Sequence, residues 1–403
     1  MKFSNELAKG GFILFVSSNL FNLLNLIFNF TSARLLGTIG YGTLATLMSI
    51  IFIFGVPNET LHAIISRYTT KFYVEKEEGK IKNLLIKALK KFTFISLICF
   101  LIFVLFSGFI GNFLSIEKKL LIVTGIAIFG VFLIPITRGI LQGTKRFKEL
   151  GATYISEGSF KLIIAIVLIT LGLGVYGAIT GVVLSIFLGF LFSLISLKGI
   201  LTAKRKKAKI EGIYSYSIPA LVSIASITIF FSLDVILAKA FFSGELAGQY
   251  AAVSNLGKVI FLGTLGISKA MFPLISEKHD KKVYFNHLLE QSFLTVFFIS
   301  AIILIIYFLI PKQIIYVLYG QDYLAASSLL IYPALAMTIL SLTNIFVLFN
   351  LCVNKAKRNY LTLVFVAVQV ILLSLFHASL LQFSIMLIIS NIFLFLGTVI
   401  MSS

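Results

Sequence analysis

The stretch SSNLFNLLNLIFNF, residues 17–30, has the composition of a membrane-spanning helix that is interrupted by amides. Four asparagines lie within an otherwise apolar run of Leu, Ile and Phe: Asn19, Asn22, Asn25 and Asn29. At 3.6 residues per turn these side chains fall within an arc of about 120°, so they form one stripe on the helix. Hydrocarbon offers an amide no hydrogen-bond partner. The stripe therefore has to meet water, a ligand or a polar group of another helix.

The composition of the whole chain is that of a polytopic membrane protein. Of the 403 residues, 59% are hydrophobic and only 12% are charged, which is too little charge to cover a soluble core. We therefore expect an all-α fold with about twelve transmembrane helices. The runs of membrane length, numbered here as spans 1 to 12, lie at roughly 11–33, 43–66, 92–112, 119–141, 153–171, 176–197, 213–240, 247–272, 288–310, 325–351, 359–378 and 382–400.

Membrane topology, rather than nucleic-acid binding, explains the net charge of +19. If the N-terminus is cytoplasmic, most of the 34 Lys and Arg residues fall in segments that face inward, as the positive-inside rule requires. We therefore expect a multi-pass protein of the cell membrane with both termini in the cytoplasm. We expect no nucleic-acid partner.

A basic linker near the middle of the chain divides the predicted spans six and six. This linker, residues 201–212, separates an N-terminal six-helix lobe, 1–200, from a C-terminal six-helix lobe, 213–403. Similar segments with glycines and an aromatic residue leave spans 1 and 7, namely SARLLGTIGYGTLATL and LAKAFFSGELAGQYAAV. These similarities suggest two repeats that share one orientation in the membrane.

Two further helical patterns predict packing rather than chemistry. In GKIKNLLIKALKKF, residues 79–92, apolar side chains take one helical face and lysines the other, which predicts an amphipathic helix that lies on the inner leaflet and leads into span 3. In span 6, small residues recur every four positions and predict close packing of helices. These small residues are Gly177, Gly181, Ser185 and Gly189.

Charged residues inside the predicted spans are candidates for function because their burial in hydrocarbon is costly. Lys258 lies near the centre of span 8, and Asp234 in the outer half of span 7 is its expected partner across the hairpin. A functional site and a buried structural ion pair are the two alternatives for them. Glu59 lies in VPNETLH, where Pro57 should kink the helix, and it could take up a proton or a cation or bond to a neighbouring span.

Span 7 repeats the polar stripe of span 1, because Ser223, Ser226 and Asp234 share one helical face. Two polar stripes in corresponding helices of the two halves favour a shared, water-accessible cavity. Interhelical hydrogen bonding is the alternative, at about 1 kcal/mol or less for each contact. In span 5, Glu157 and Lys161 have the i,i+4 spacing of an ion pair, which we interpret as interfacial rather than as a site.

Several classes of function are excluded by the motifs that the sequence lacks. It contains no Walker A motif and no Gly-rich phosphate loop, so we do not expect ATP hydrolysis. The four histidines show no metal-ligand spacing, and the outward connections are too short for a catalytic lobe. We therefore expect no enzyme activity, no metal and no cofactor other than a coupling H⁺ or Na⁺.

Three segments resemble the polysaccharide-export branch of the multidrug/oligosaccharidyl-lipid/polysaccharide flippase superfamily. They are ARLLGTIGYGTLATLMSI after span 1, TRGILQGTKRFKELGATYISEGSFKL across spans 4 and 5, and SLDVILAKAFFSGELAGQYAAVSNLGKVIFLGTLGISKAMFPLISE across spans 7 and 8. The resemblance implies two six-helix lobes that form a V around a central cavity, with lipid-linked oligosaccharides as cargo. It also implies cavity cations for the lipid-linked phosphate, and the matching positions are Arg34, Lys239, Lys258 and Arg138.

Together these patterns predict a flippase that moves a lipid-linked oligosaccharide from the cytoplasmic to the outer leaflet by alternating access. The four asparagines, with Ser223 and Ser226, would bind the sugars, and the cations would bind the phosphate. Glu59 or Asp234 would couple transport to H⁺ or Na⁺, unless the membrane potential drives it. Expected partners are the lipid-linked glycan, membrane lipids and proteins of polysaccharide assembly. A cation-coupled multidrug exporter and a non-transporting scaffold of a glycan-assembly complex are the alternatives.

Overall fold

The computed structural model describes residues 2–207, 214–281, 283–353 and 356–402; side chains are described there except at 2–9, 214–218, 220, 273, 279–280 and 356–357. The described residues form helices and short connections, without a β-strand. The α-helices are α1 (Lys2–Phe54), α2 (Val56–Val74), α3 (Glu78–Leu114), α4 (Lys118–Gly143), α5 (Phe147–Leu168), α6 (Gly174–Ile195), α7 (Lys198–Thr202), α8 (Tyr214–Phe241), α9 (Gly244–Asp280), α10 (Asn286–Leu309), α11 (Pro311–Leu318), α12 (Ile331–Cys352), α13 (Thr362–Leu375) and α14 (Leu380–Ser402).

Ten helical segments of the described chain are long and apolar enough to cross a membrane. Two of them are too long for one crossing, since Gly10–Val74 has 65 residues and Phe147–Ile195 has 49, whereas about 20 are needed. The backbone is non-helical at Gly37, where φ is 66°, and at Gly172, where φ is 89°. Only glycine adopts such angles readily, so each glycine ends one crossing and begins the next. The division agrees with the prediction of about twelve spans.

The first of two compact units comprises Met1–Leu36 and Phe54–Ser215. Part of its core is formed by the first turns of α3, where Ile81 and Leu85 are fully buried with residues of α4 such as Ile136. The predicted helix that leads into span 3 is confirmed, because residues 79–92 begin the 37-residue helix α3. Its placement with the apolar face on the inner leaflet is wrong, because that face contacts protein.

Helices α5 and α6 of the first unit pack closely through the small residues of α6. A Cβ added to Gly181 would lie 2.6 Å from the backbone nitrogen of Ala165. One added to Gly177 would lie 2.7 Å from the carbonyl carbon of Leu168. Larger side chains at these positions would separate the two helices. The prediction that this stripe serves packing is confirmed.

The second unit comprises Gly37–Ile53 and Tyr216–Ser403, so it takes up the second part of α1. This grouping differs from a division into 1–200 and 213–403. Its physical reason is a close backbone approach: a Cβ added to Gly42 would lie 2.8 Å from the nitrogen of Gly248. Next to these glycines, Asn255 donates a hydrogen bond of 2.7 Å to the hydroxyl of Tyr41, which is fully buried.

Candidate functional site: the amides of α1 and the buried cations

The four asparagines of α1 lie on the part of the helix that the protein covers least. Asn19 and Asn22 are exposed, whereas Asn25 and Asn29 are half-buried. Three of the four amides donate to a carbonyl one turn earlier in the same helix. The distances are 2.8 Å from Asn19 to the oxygen of Phe15, 2.9 Å from Asn25 to that of Phe21, and 2.8 Å from Asn29 to that of Asn25. We call these four residues the amide row.

The amide row has hydrogen-bonding capacity to spare. Each amide offers two N–H donors and an oxygen with two lone pairs. Among the described residues, the side chain of Asn22 makes no hydrogen bond. The side chains of Asn19 and Asn25 each make only the one to a carbonyl of their own helix. Leaving an amide without a partner in hydrocarbon costs about 2–7 kcal/mol, depending on the reference state. This surface therefore suits water or a hydroxyl-bearing ligand, and it does not suit acyl chains.

Two other predicted site residues are exposed in the first unit. Arg34 follows the amide row by five residues and lies near the end of the first part of α1. Glu59 lies in the first turn of α2, after an interruption of the helix at Gly55 and with Pro57 at its start. Glu59 on α2 and the amide row on α1 both belong to the first unit.

The predicted hydroxyls of span 7 do not line an open surface in this structure. Ser223 and Ser226 on α8 are at most 1% exposed and contact the segment that leads into α13. The Nδ2 of Asn359 donates to the Oγ of Ser223 at 2.8 Å, and the hydroxyls of Thr362 and Ser226 are 2.7 Å apart. Their geometry fits the alternative of interhelical hydrogen bonding.

The expected partnership of Lys258 with Asp234 is confirmed. The Nζ of Lys258 is 3.2 Å from the Oδ1 of Asp234, and the Oδ2 of Asp234 accepts from the hydroxyls of Tyr250 and Ser254. The Lys258 ammonium also lies 5.2 Å from the ring centroid of Phe231. Because the carboxylate is fully buried and offsets the ammonium, the pair adds no net charge to the interior of the second unit.

Arg138 is also buried, but its partner differs from the pairing that the sequence suggests. Its NH2 group donates to the Oε2 of Glu157 at 2.6 Å and to the backbone oxygen of Thr153 at 3.0 Å. Its Nε donates to the hydroxyl of Thr153, and its guanidinium carbon lies 4.1 Å from the ring centroid of Tyr154. The expected i,i+4 pair of Glu157 with Lys161 is therefore not formed.

Lys161 is a buried cation that sequence reasoning did not select as a site. It is 7% exposed, and its Nζ lies 5.0 Å from the ring centroid of Phe28 and 5.7 Å from that of Phe21. No described acceptor lies within hydrogen-bond distance of this ammonium. Contacts with aromatic faces contribute about 0.5–2 kcal/mol each, whereas burying an ammonium costs several. The rings alone leave its charge under-compensated.

Lys239 near the end of α8 is 7% exposed, and among the described residues no carboxylate lies within ion-pair distance of it. Among the described residues, no group of three His, Cys, Asp or Glu residues is placed to hold a metal ion. The polar inventory of the described interior is thus made of amides, hydroxyls and cations with few carboxylates.

This architecture of long apolar helices, broken at glycines and carrying an amide row, defines a multi-pass helical membrane protein. Residues 7–279 match the model of the polysaccharide biosynthesis protein family, so the chain belongs to that family. An uncharacterized membrane protein of Methanocaldococcus jannaschii is 27% identical over 310 residues, which cover 71% of this chain and 72% of that protein. The predicted branch of the superfamily is confirmed.

Solved structures of transporters share the fold of this chain at low sequence identity. An inward-facing multidrug-resistance MATE transporter superposes with a TM-score of 0.75 at 15% identity, over 95% of this chain and 94% of that one. The lipid II flippase MurJ in an inward closed conformation gives 0.70 at 17% identity, over 97% and 90%. A superfamily transporter of Pyrococcus furiosus, whose binding pocket is described as reversed in polarity, gives 0.65 at 15%, over 98% and 96%.

Proposed function

We propose that this transporter is a flippase for a lipid-linked oligosaccharide, which it moves from the cytoplasmic to the outer leaflet of the cell membrane by alternating access. The amide row carries the proposal. Membership of the polysaccharide biosynthesis family and the fold shared with a lipid II flippase support it. Coupling to H⁺, to Na⁺ or to the membrane potential fits the proposal equally well.

The chemistry of the amide row suits sugar rather than a drug-like cation. A sugar hydroxyl both donates and accepts hydrogen bonds, and an amide can act as its acceptor and as its donor. Asn22 and Asn25 have free donors and acceptors on a helix whose neighbouring exposed side chains, such as Leu23, are apolar. A cation exporter would need carboxylates on this surface, and the row contains none. Arg34, beyond the end of the row, supplies a cation for the phosphate of the carrier.

The test is replacement of Asn22 and Asn25 by Ala, with Leu23→Ala as the matched control. Leu23 is 51% exposed between the two amides, so its truncation alters the same surface without removing a polar group. Two lost hydrogen bonds of about 0.5–1.5 kcal/mol each should lower the rate of glycan export about tenfold, and the control should keep it. Export is measured as surface glycan, or as flipping of a lipid-linked oligosaccharide in proteoliposomes, at equal protein level.

The same strains separate the two alternatives. A multidrug exporter predicts that the amide variants lose resistance to a cationic dye while glycan export continues. A scaffold predicts that export persists in all three variants and fails only when the protein is deleted. Either result would overturn the flippase proposal.

A further inference from the structure

We infer that Lys161 is a binding cation of the first unit for the phosphate or diphosphate that joins the cargo sugar to its lipid. The inference rests on the proposed function, which it deepens by assigning a residue to the anionic part of the substrate. It starts from two of the three buried lysines of the described chain, Lys161 and Lys258, which differ in how their charge is balanced.

The balance of charge around each lysine is set by the nearest carboxylate. Asp234 is 3.2 Å from Lys258, so this group is neutral. Glu157, one turn before Lys161, instead contacts Arg138 at 2.6 Å. Arg138, Glu157 and Lys161 together hold two cations and one carboxylate. The first unit therefore keeps one net positive charge in its interior, and an anionic ligand is the species that would offset it.

The depth of Lys161 argues against an interfacial anchor. The residue lies eight positions after 153, where span 5 is expected to begin, which is about 12 Å along a helix. In a hydrocarbon layer about 30 Å thick this places it near the middle. A lysine that reaches the headgroups by extending its side chain needs a position closer to a surface. Lys161 instead extends from α5 to two aromatic rings of α1.

The position of Lys161 also brings its charge next to the amide row. Phe28, the ring nearest to its ammonium, lies three residues after Asn25, and side chains three apart are neighbours on a helix. The other ring belongs to Phe21, whose carbonyl accepts the amide of Asn25 at 2.9 Å. The Lys161 ammonium of α5 thus lies beside the amides of α1. The cargo has the same order of groups, because its phosphate is next to its sugar.

The experiment uses the absence of tryptophan from the chain. Phe21→Trp places the single tryptophan of the variant beside the Lys161 ammonium and keeps an aromatic face under it. The full chain in lipid nanodiscs is titrated with farnesyl diphosphate, and with farnesol as a probe that has the same tail without the charge. The variants are Lys161→Met, which keeps the length of the stem, Lys161→Arg, which keeps the charge, and Lys118→Met. Lys118 is exposed, so its removal controls for general electrostatic attraction.

Lys161→Met loses a charge-assisted hydrogen bond, so it should bind farnesyl diphosphate about tenfold more weakly than the parent. Its affinity for farnesol should be unchanged. Lys161→Arg and Lys118→Met should bind both probes as the parent does. The inference is overturned if Lys161→Met binds the diphosphate with the parent's affinity, or loses both probes alike. Where Lys161→Met does not fold, as judged by thermal unfolding, Lys161→Gln replaces it with the same two readouts.

The outcomes separate this inference from the proposed function. If diphosphate binding requires Lys161 while the Asn22 and Asn25 variants export glycan normally, the flippase proposal falls and the anion site remains. If export requires the amides while Lys161→Met binds diphosphate normally, only the role of Lys161 falls.

Discussion

The ammonium of Lys258 and the carboxylate of Asp234 form a closed ion pair, 3.2 Å apart and without solvent exposure of the carboxylate. Tyr250 and Ser254 donate to the second oxygen of Asp234, so every charged atom of the pair has a neighbour. Such a pair contributes little net stability as a unit, because each ion loses its hydration. Breaking it is costly, because the remaining ion stays buried and unpaired.

Asp234→Asn and Lys258→Met should therefore each lower the free energy of unfolding by about 3–5 kcal/mol, and the double variant should recover most of this loss. The measurement is a double-mutant cycle of thermal or denaturant unfolding in detergent. Additive losses would show that the two groups do not act as a pair. A double variant that is stable but does not export glycan would assign the pair to coupling as well as to structure.

Much of the fold could be predicted from the sequence, because the relevant signals are local. Length and hydropathy define the spans, and the partnership of Asp234 with Lys258 follows from two charges placed across one hairpin. Contacts between distant segments carry no local signal. The hydroxyl of Ser223 is paired with Asn359, 136 residues away, and nothing near Ser223 distinguishes this contact from exposure to a cavity.

The parts of the candidate site that the sequence misassigned have the same physical origin. An apolar stripe such as that of residues 81–88 has the same sequence pattern whether it contacts acyl chains or protein, because both surroundings are apolar. Glu157 has a lysine one turn away and an arginine on another helix, and only the second contact depends on tertiary packing. Glu157 pairs with Arg138 rather than with Lys161, since the planar guanidinium of Arg138 also bonds to Thr153. Lys161 was overlooked because the local spacing gave it a partner.

Glu157→Gln should have opposite effects on stability and on anion binding. The variant leaves Arg138 without its carboxylate, so the free energy of unfolding should fall by about 3–5 kcal/mol. It also raises the net buried charge next to Lys161 by one, so farnesyl diphosphate should bind several-fold more tightly than to the parent. Both quantities are measured on the Phe21→Trp background. A parallel fall in stability and in affinity would mean that Glu157 only maintains the shape of this region.

Gly248→Ala should displace the segment 37–53 within the second unit. A Cβ at this position would overlap the backbone oxygen of Thr38. A backbone atom cannot rotate away as the end of a flexible side chain could. Overpacking of this kind costs about 1–3 kcal/mol. Gly263→Ala on the same helix is the matched control, because a Cβ there meets nothing within 4 Å. The midpoint of thermal unfolding should fall for Gly248→Ala and stay the same or rise for Gly263→Ala. Equal midpoints would contradict the close approach of the two backbones.

The segment after α7 is held to the start of α3 by a small set of contacts, and one of them should make its protection depend on pH. The backbone nitrogen of Lys206 donates to the oxygen of Gly79 at 3.1 Å, and its Nζ donates to the Oε2 of Glu77 at 2.9 Å. The hydrogen bond from Lys206 holds the pKa of Glu77 below its ordinary value of 4.5. A lowered carboxyl pKa contributes stability above pH 4.5 that is lost as the pH falls through the lowered value.

Glu77→Gln should therefore reduce the protection of residues 204–207 from hydrogen exchange at pH 7, and the difference from the parent should shrink as the pH falls through the lowered pKa of Glu77 and its carboxyl is protonated. Protection is compared after division by the intrinsic exchange rate at each pH. Lys207→Ala is the control, because Lys207 is exposed and makes no described contact. Since the side chains of Lys206 and Glu77 are 61% and 27% exposed, salt should also weaken the effect. Equal protection of Glu77→Gln and the parent at pH 7 would trace the protection to the backbone bond of Gly79 alone.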